Sequence, residues 1–103
     1  MNRKALISIN KIPAAELFEI KDGYRMKYLD DYSGPPVSLA LPRNKNEYKF
    51  STFPPFFDGL LPEGIMLEAL LKVLKLDADD YLGQLLILGE DLVGAVTVRE
   101  ILI

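Results

Sequence analysis

No stretch of this chain narrows the choice of fold as far as "AELFEI" and "YRMKYL", residues 15–20 and 24–29, set on either side of Lys21-Asp22-Gly23. Apolar and polar residues alternate in both runs, which is the period of a half-buried strand. An Asp-Gly between two such runs is a strong hairpin signal, because the tight turn needs residues that tolerate positive φ. On the second strand Tyr24, Met26 and Tyr28 share one face, and Arg25 and Lys27 share the other. The apolar face has to be covered, and the rest of the chain must supply the cover.

The first half offers more sheet. "ALISIN", residues 5–10, is a strand candidate. "SGPP", Ser33 to Pro36, breaks the chain. "VSLAL", Val37 to Leu41, reads as a short strand closed by Pro42, and the polar run Arg43 to Lys49 as an exposed loop. The second half is helical. Between Ile65 and Leu76 only Glu68, Lys72 and Lys75 are polar, and Glu68 and Lys72 make the favourable i, i+4 pair of an exposed face. So wide an apolar stripe predicts a largely buried helix. "DADD", Asp77 to Asp80, supplies the N-cap and first-turn acids of a further helix over roughly Asp79 to Leu88, with Gly89 as its C-cap. "LVGAVTVREILI" returns to strand character. The fold class expected is α+β: a small, mostly antiparallel sheet with helices packed on one side.

Between the halves lies "STFPPFFDGLLPEG", Ser51 to Gly64. It combines Phe53, Phe56, Phe57, Leu60 and Leu61 with Pro54, Pro55, Pro62, Gly59 and Gly64. A core helix or strand avoids that punctuation, and a solvated loop avoids that much apolar surface. The phenylalanines are expected to face the domain's own core. The turn from Gly59 to Gly64 and the start of the next helix would then be held rigidly outward.

Composition removes most chemistry. With 103 residues the chain is read as one domain, 1–103. It has no Cys and no His, so thiolate chemistry, the Ser-His-Asp set and the commonest metal ligand are all missing. No glycine-rich nucleotide loop occurs, so no cofactor is expected. Asp77 and Asp79 begin like a calcium loop, but Tyr81, Leu82 and Leu88 occupy later ligand and turn positions, and capping accounts better for the acids. Asp58 and Glu63 flank a turn without a visible cleft, so no catalytic pair is read there. Tyr24 and Tyr28 read as packing rather than as a base-stacking platform. A net charge of -3 argues against direct nucleic-acid binding. No apolar run approaches the ~20 residues of a membrane span, and "MNRKALISIN" lacks a leader's apolar stretch, so a cytoplasmic protein is expected.

"FFDGLLPEG", the leucine-rich helix after it and "DDYLGQLLILGEDLVGAVTV" closely resemble the N-terminal subdomain of HipA-type serine/threonine kinases. "GYRMKYLDDYSGPPVSLALP" is similar to that family's strand, turn and proline-closed segment. The match runs from about Gly23 to Val98 in the family's order. The chain ends at Ile103, where a full-length HipA continues into its kinase, so the resemblance implies a free-standing subdomain like HipS of three-gene HipB-HipS-HipT systems. That implies an antitoxin that binds and inhibits a separately encoded HipT-like kinase, alongside a HipB-like helix-turn-helix DNA-binding protein. The alternative is a structural subunit that completes the kinase fold without inhibiting it. The partner-binding residues expected are Asp58, Gly59, Leu60, Pro62, Glu63, Gly64, Ile65 and Met66. Pro62 suits a helix start, Gly64 admits a close backbone, Ile65 and Met66 offer apolar contacts, and Glu63 a polar one. Ile65 stands where small relatives of this type often carry Trp.

Overall fold

The hairpin forms where the Asp-Gly signal lies. A computed structural model describes residues 3–61, 64–75, 77–89 and 95–101. Strands β2 (Ile12–Ile20) and β3 (Gly23–Tyr28) pair antiparallel from Ile20 opposite Gly23, leaving Lys21 and Asp22 as the turn. Gly23 has φ 148°, a conformation that an L side chain rarely adopts, and a Cβ there would also collide with the Phe50 carbonyl. Met26 and Tyr28 are buried with Tyr24 half-buried beside them, while Lys27 is exposed, as the alternation requires.

Strand β1 (Lys4–Ile9) joins β2 through a second two-residue hairpin that the sequence reading did not identify. Asn10 and Lys11 both have positive φ, 51° and 69°, the pattern of a turn whose twist matches the strands. The register slips after Ile7, which pairs with Ala15, because Ser8 pairs with Pro13. This bulge turns both Ala14 and Ala15 inward and accommodates Pro13, which has no ladder donor to give.

β4 (Glu47–Phe50) and β5 (Val96–Ile101) complete a sheet of order β4-β3-β2-β1-β5, antiparallel at every step. Two expectations are corrected here. The end of the polar run 43–49 is not loop but edge strand: Glu47 and Lys49 take the outer face and Tyr48 and Phe50 the inner one. Val37 to Leu41 is a turn, not a strand. The Tyr28 hydroxyl accepts from Val37 N–H at 2.9 Å and donates to the Leu41 carbonyl, taking both groups from any ladder. Tyr32 stacks on Tyr28 with ring centroids 6.3 Å apart, and Arg43 donates to the Tyr32 carbonyl at 3.0 Å. Of the strand expected over "LVGAVTVREILI", residues 92–94 and 102–103 lie outside the described residues.

Among the described residues three helices follow β4: α1 (Pro55–Asp58), α2 (Gly64–Leu74) and α3 (Tyr81–Leu88). The core lies between the inner sheet face, with Ala5, Ile7, Leu17, Met26 and Val98, and Phe57 of α1 with Leu82 and Leu85 of α3. The α+β class and one-sided helix layer follow the sequence reading. Asp80 is the N-cap of α3, its carboxylate accepting from Gly83 N–H at 3.1 Å. Gly89 ends α3 but in the right-handed region, φ -62°. Its missing side chain serves close approach instead, since a Cβ would strike the backbone of Val98. Among the described residues no helix is long and apolar enough to cross a membrane.

Candidate functional site

The punctuated segment is a corner that joins both layers. Pro54 precedes α1 and Pro55 opens it, so the first helical position needs no donor. Phe57 and Asp58 N–H groups return to the Pro54 carbonyl at 3.1 and 3.0 Å, and Gly59, Leu60 and Leu61 continue with hydrogen bonds of 3.0–3.1 Å. Phe57 is fully buried, Phe53 is buried, and Phe56 packs edge-on to Phe57 at 5.2 Å. Phe53 meets Tyr24 of β3 edge-on at 5.2 Å and Tyr81 of α3 at 5.7 Å, so one ring ties sheet to helix. The phenylalanines therefore do anchor the segment.

Of the expected contact residues, Asp58 and Gly59 are exposed at the end of α1, and Leu60 is half-buried. Pro62 and Glu63 lie outside the described residues. Gly64 and Ile65 are described only as the backbone of the first turn of α2. Met66, in the same turn, is 67% exposed.

The expectation of a largely buried α2 is overturned. None of its described side chains is buried. Leu67, Leu70 and Leu71 are half-buried on one side. Met66, Ala69 and Val73 are exposed at i, i+3 and i+7, so they form a stripe along the helix, and Val73 is 78% exposed. Leu74, 38% exposed, falls between Leu70 and Leu67 on the half-buried side, so even that side is incompletely covered. The polar pair Glu68 and Lys72 lies beyond the stripe. The apolar sector is thus wider than the surface this domain offers it. Near α1, Ala40, Leu41, Phe50, Pro54, Pro55 and Phe56 line a groove of about 240 Å³ with almost no polar lining, and Leu39 next to it is 95% exposed. Sequence reasoning missed this groove because its walls come from three separated segments.

The charged groups with shifted pKa are structural. Arg3 reaches Glu19 of β2 with Nε at 2.8 Å and Nη2 at 3.0 Å, and Asp80 with Nη2 at 2.6 Å and Nη1 at 3.0 Å. Hydrogen bonds from Arg3 hold the carboxyls of Glu19 and Asp80 below their usual range and raise Arg3 itself. The triad clasps the start of β1 to β2 and to the cap of α3. Burial pushes the Tyr24 and Tyr28 hydroxyls up. Gln84, 1% exposed, donates through Nε2 to the carbonyls of Asp77 and Ala78, each at 3.1 Å, and pins the loop before α3. These groups hold elements together rather than converge on a reacting atom.

The model of the HipA N-terminal domain family matches residues 5–99. An uncharacterized protein of Haemophilus influenzae (strain ATCC 51907 / DSM 11121 / KW20 / Rd) is 33% identical over 78 residues, which are 76% of this chain and 74% of that protein. Among solved structures, the N-terminal domain of HipA toxin matches with a TM-score of 0.81 at 26% identity, over 97% of this chain and 93% of that one.

Proposed function

The chain belongs to the HipA N-terminal domain family, and we propose that it is an antitoxin that binds and inhibits a separately encoded HipA-like serine/threonine kinase toxin. A HipB-like helix-turn-helix DNA-binding protein joins the same cytoplasmic complex. The solved relative named as part of a HipA toxin supports a toxin–antitoxin setting, and the lack of His and Cys in the sequence supports a binding role rather than a catalytic one.

The observation that carries the proposal is the exposed stripe of α2, Met66, Ala69 and Val73. An 11-residue helix is marginal in water without an apolar face to bury. Here much of that face is left over after the core is made. In sequence the stripe follows the corner that carries Asp58 and Gly59, and in this reading turn and helix serve as one docking surface for the kinase. Phe53 and Phe57 anchor the corner end of that surface, and a preorganised surface loses less entropy on binding.

The test is a Met66→Asp, Val73→Asp double variant, assayed for co-purification with the kinase and for inhibition of it. Both side chains are exposed, so the variant should melt like the parent. Burying one such side chain at an interface contributes about 1.5–3 kcal/mol, so the complex should weaken by at least about tenfold and kinase activity should return. A folded variant that binds and inhibits as well as the parent would overturn the proposal. If the parent binds while kinase activity is unchanged, the protein is instead a structural subunit that completes the kinase fold.

A further inference from the structure

The helix layer covers one face of the sheet. On the other, strand register assembles a pattern that is scattered in the sequence. Ile101, Lys4, Phe18, Arg25 and Lys49 are register partners in one row across β5, β1, β2, β3 and β4. The next row is Arg99, Leu6, Glu16, Lys27 and Glu47. These two rows hold five cations and two carboxylates, a net of +3 on a chain whose net charge is -3. Glu16 pairs with Lys4 at 3.0 Å and Glu47 lies 3.2 Å from Arg25 Nε. That last contact is an ion pair by distance only. The buried Nε–H is not aligned to any acceptor, so the guanidinium keeps donor capacity. Lys27, Lys49 and Arg99 make no ion pair among the described residues. Lys4 and Arg25 also lie over the Phe18 ring, each 5.2 Å from its centroid, and Leu6, Phe18 and Ile101 are only half-buried.

An antiparallel sheet commonly leaves one face to water, with charges of both signs interspersed. Here the excess is of one sign, opposite to that of the whole chain, around apolar side chains. We propose that this face is a second docking surface, separate from α2, for an acidic polypeptide segment bearing apolar residues. Charge complementarity requires an anionic occupant. The two carboxylates inside the face favour polypeptide over nucleic acid. A phosphodiester chain carries a charge at every step and meets Glu16 or Glu47 in any register, whereas a polypeptide places acids opposite the cations and neutral side chains opposite the glutamates. Leu6, Phe18 and Ile101 then meet its apolar residues.

The test uses the full chain and three fluorescent probes: a peptide of Glu and Asp interleaved with Leu and Phe, the same peptide with Lys replacing every acid, and a 20-nucleotide single-stranded DNA. The acidic peptide should bind in 50 mM salt, weaken several-fold in 300 mM salt by screening, and lose at least about tenfold affinity with Lys27→Glu, Lys49→Glu. Lys27→Arg, Lys49→Arg should retain binding, and Met66→Asp, Val73→Asp should not alter it, which separates this surface from α2. Equal binding of both peptides, undiminished binding by the charge-reversed variant, or no binding at millimolar peptide would overturn the proposal. Tighter binding of the DNA, lost in the same variant, would overturn it in favour of a nucleic-acid face.

Discussion

Phe57→Ala isolates the work of the corner. Phe57 is 0% exposed, so the whole side chain was taken from water, and losing that transfer costs about 2–3 kcal/mol. The edge-on contact with Phe56, centroids 5.2 Å apart at 78°, adds about 0.5–1.5 kcal/mol. The void left under the sheet brings the total to about 3–5 kcal/mol, as for other buried aromatic truncations. Against a stability of about 5–15 kcal/mol for a domain this size, that is a large share. Urea melts followed by circular dichroism should show the midpoint fall with the slope unchanged. A thermal melt should fall by about 4–8 °C per kcal/mol lost. Phe56→Ala, at a half-buried position, should cost about half as much. If the proposed kinase partner binds, an excess of it should restore the fold of Phe57→Ala by mass action, because the fully buried Phe57 ring lies beneath the proposed surface and is not part of it. A loss below about 1.5 kcal/mol, or equal losses at both positions, would refute the reading of Phe57 as the anchor.

Arg3→Met should lower stability at pH 7 by about 1–2 kcal/mol, a figure already reduced for carboxylates about a third exposed. The folded-state pKa values of Glu19 and Asp80 are depressed, so the clasp's contribution is present above about pH 4, their unfolded range, and fades as pH falls through the folded values. Urea melts of parent and variant at pH 7 and pH 3 should therefore show a gap that closes in acid; a gap that widens there would contradict the assignment. Gln84→Glu should destabilise by at least about 3 kcal/mol, because it puts a buried carboxylate against the carbonyls of Asp77 and Ala78. Gln84→Leu should cost less, since it also removes Oε1, which has no partner. Thermal melts of the two variants check that order.

Local chemistry made much of the fold legible. The β2–β3 hairpin rests on alternation and an Asp-Gly, and α3 on an acid cap, features complete within a few residues of chain. The anchoring role of Phe53 and Phe57 was legible for a similar reason: stiff aromatic residues beside prolines have few other places to go. The β1–β2 hairpin had only Asn10 as a cue, since Lys11 is an uncommon residue at positive φ. Residues 37–41 carry strand composition, yet the hydroxyl of Tyr28, nine residues upstream of Val37, takes the hydrogen bonds a ladder would use.

For the sites, the pattern of α2 stated how much surface the helix would bury, and a pattern in one element can state no more. Whether that surface meets its own core depends on how many faces the other elements present, and here the core is filled by α1 and α3 before α2 is covered. Lys4, Phe18, Arg25 and Lys49 are scattered over 46 positions of chain and become neighbours only when four strands pair in one register. Local patterning in the chain was enough for the β2–β3 hairpin, for α2 and α3, for the turns with matching residues, and for the lack of His and Cys. Tertiary structure alone decided which apolar face stays open and which charges share a surface, because burial and electrostatic neighbourhood belong to pairs of elements and not to any one of them.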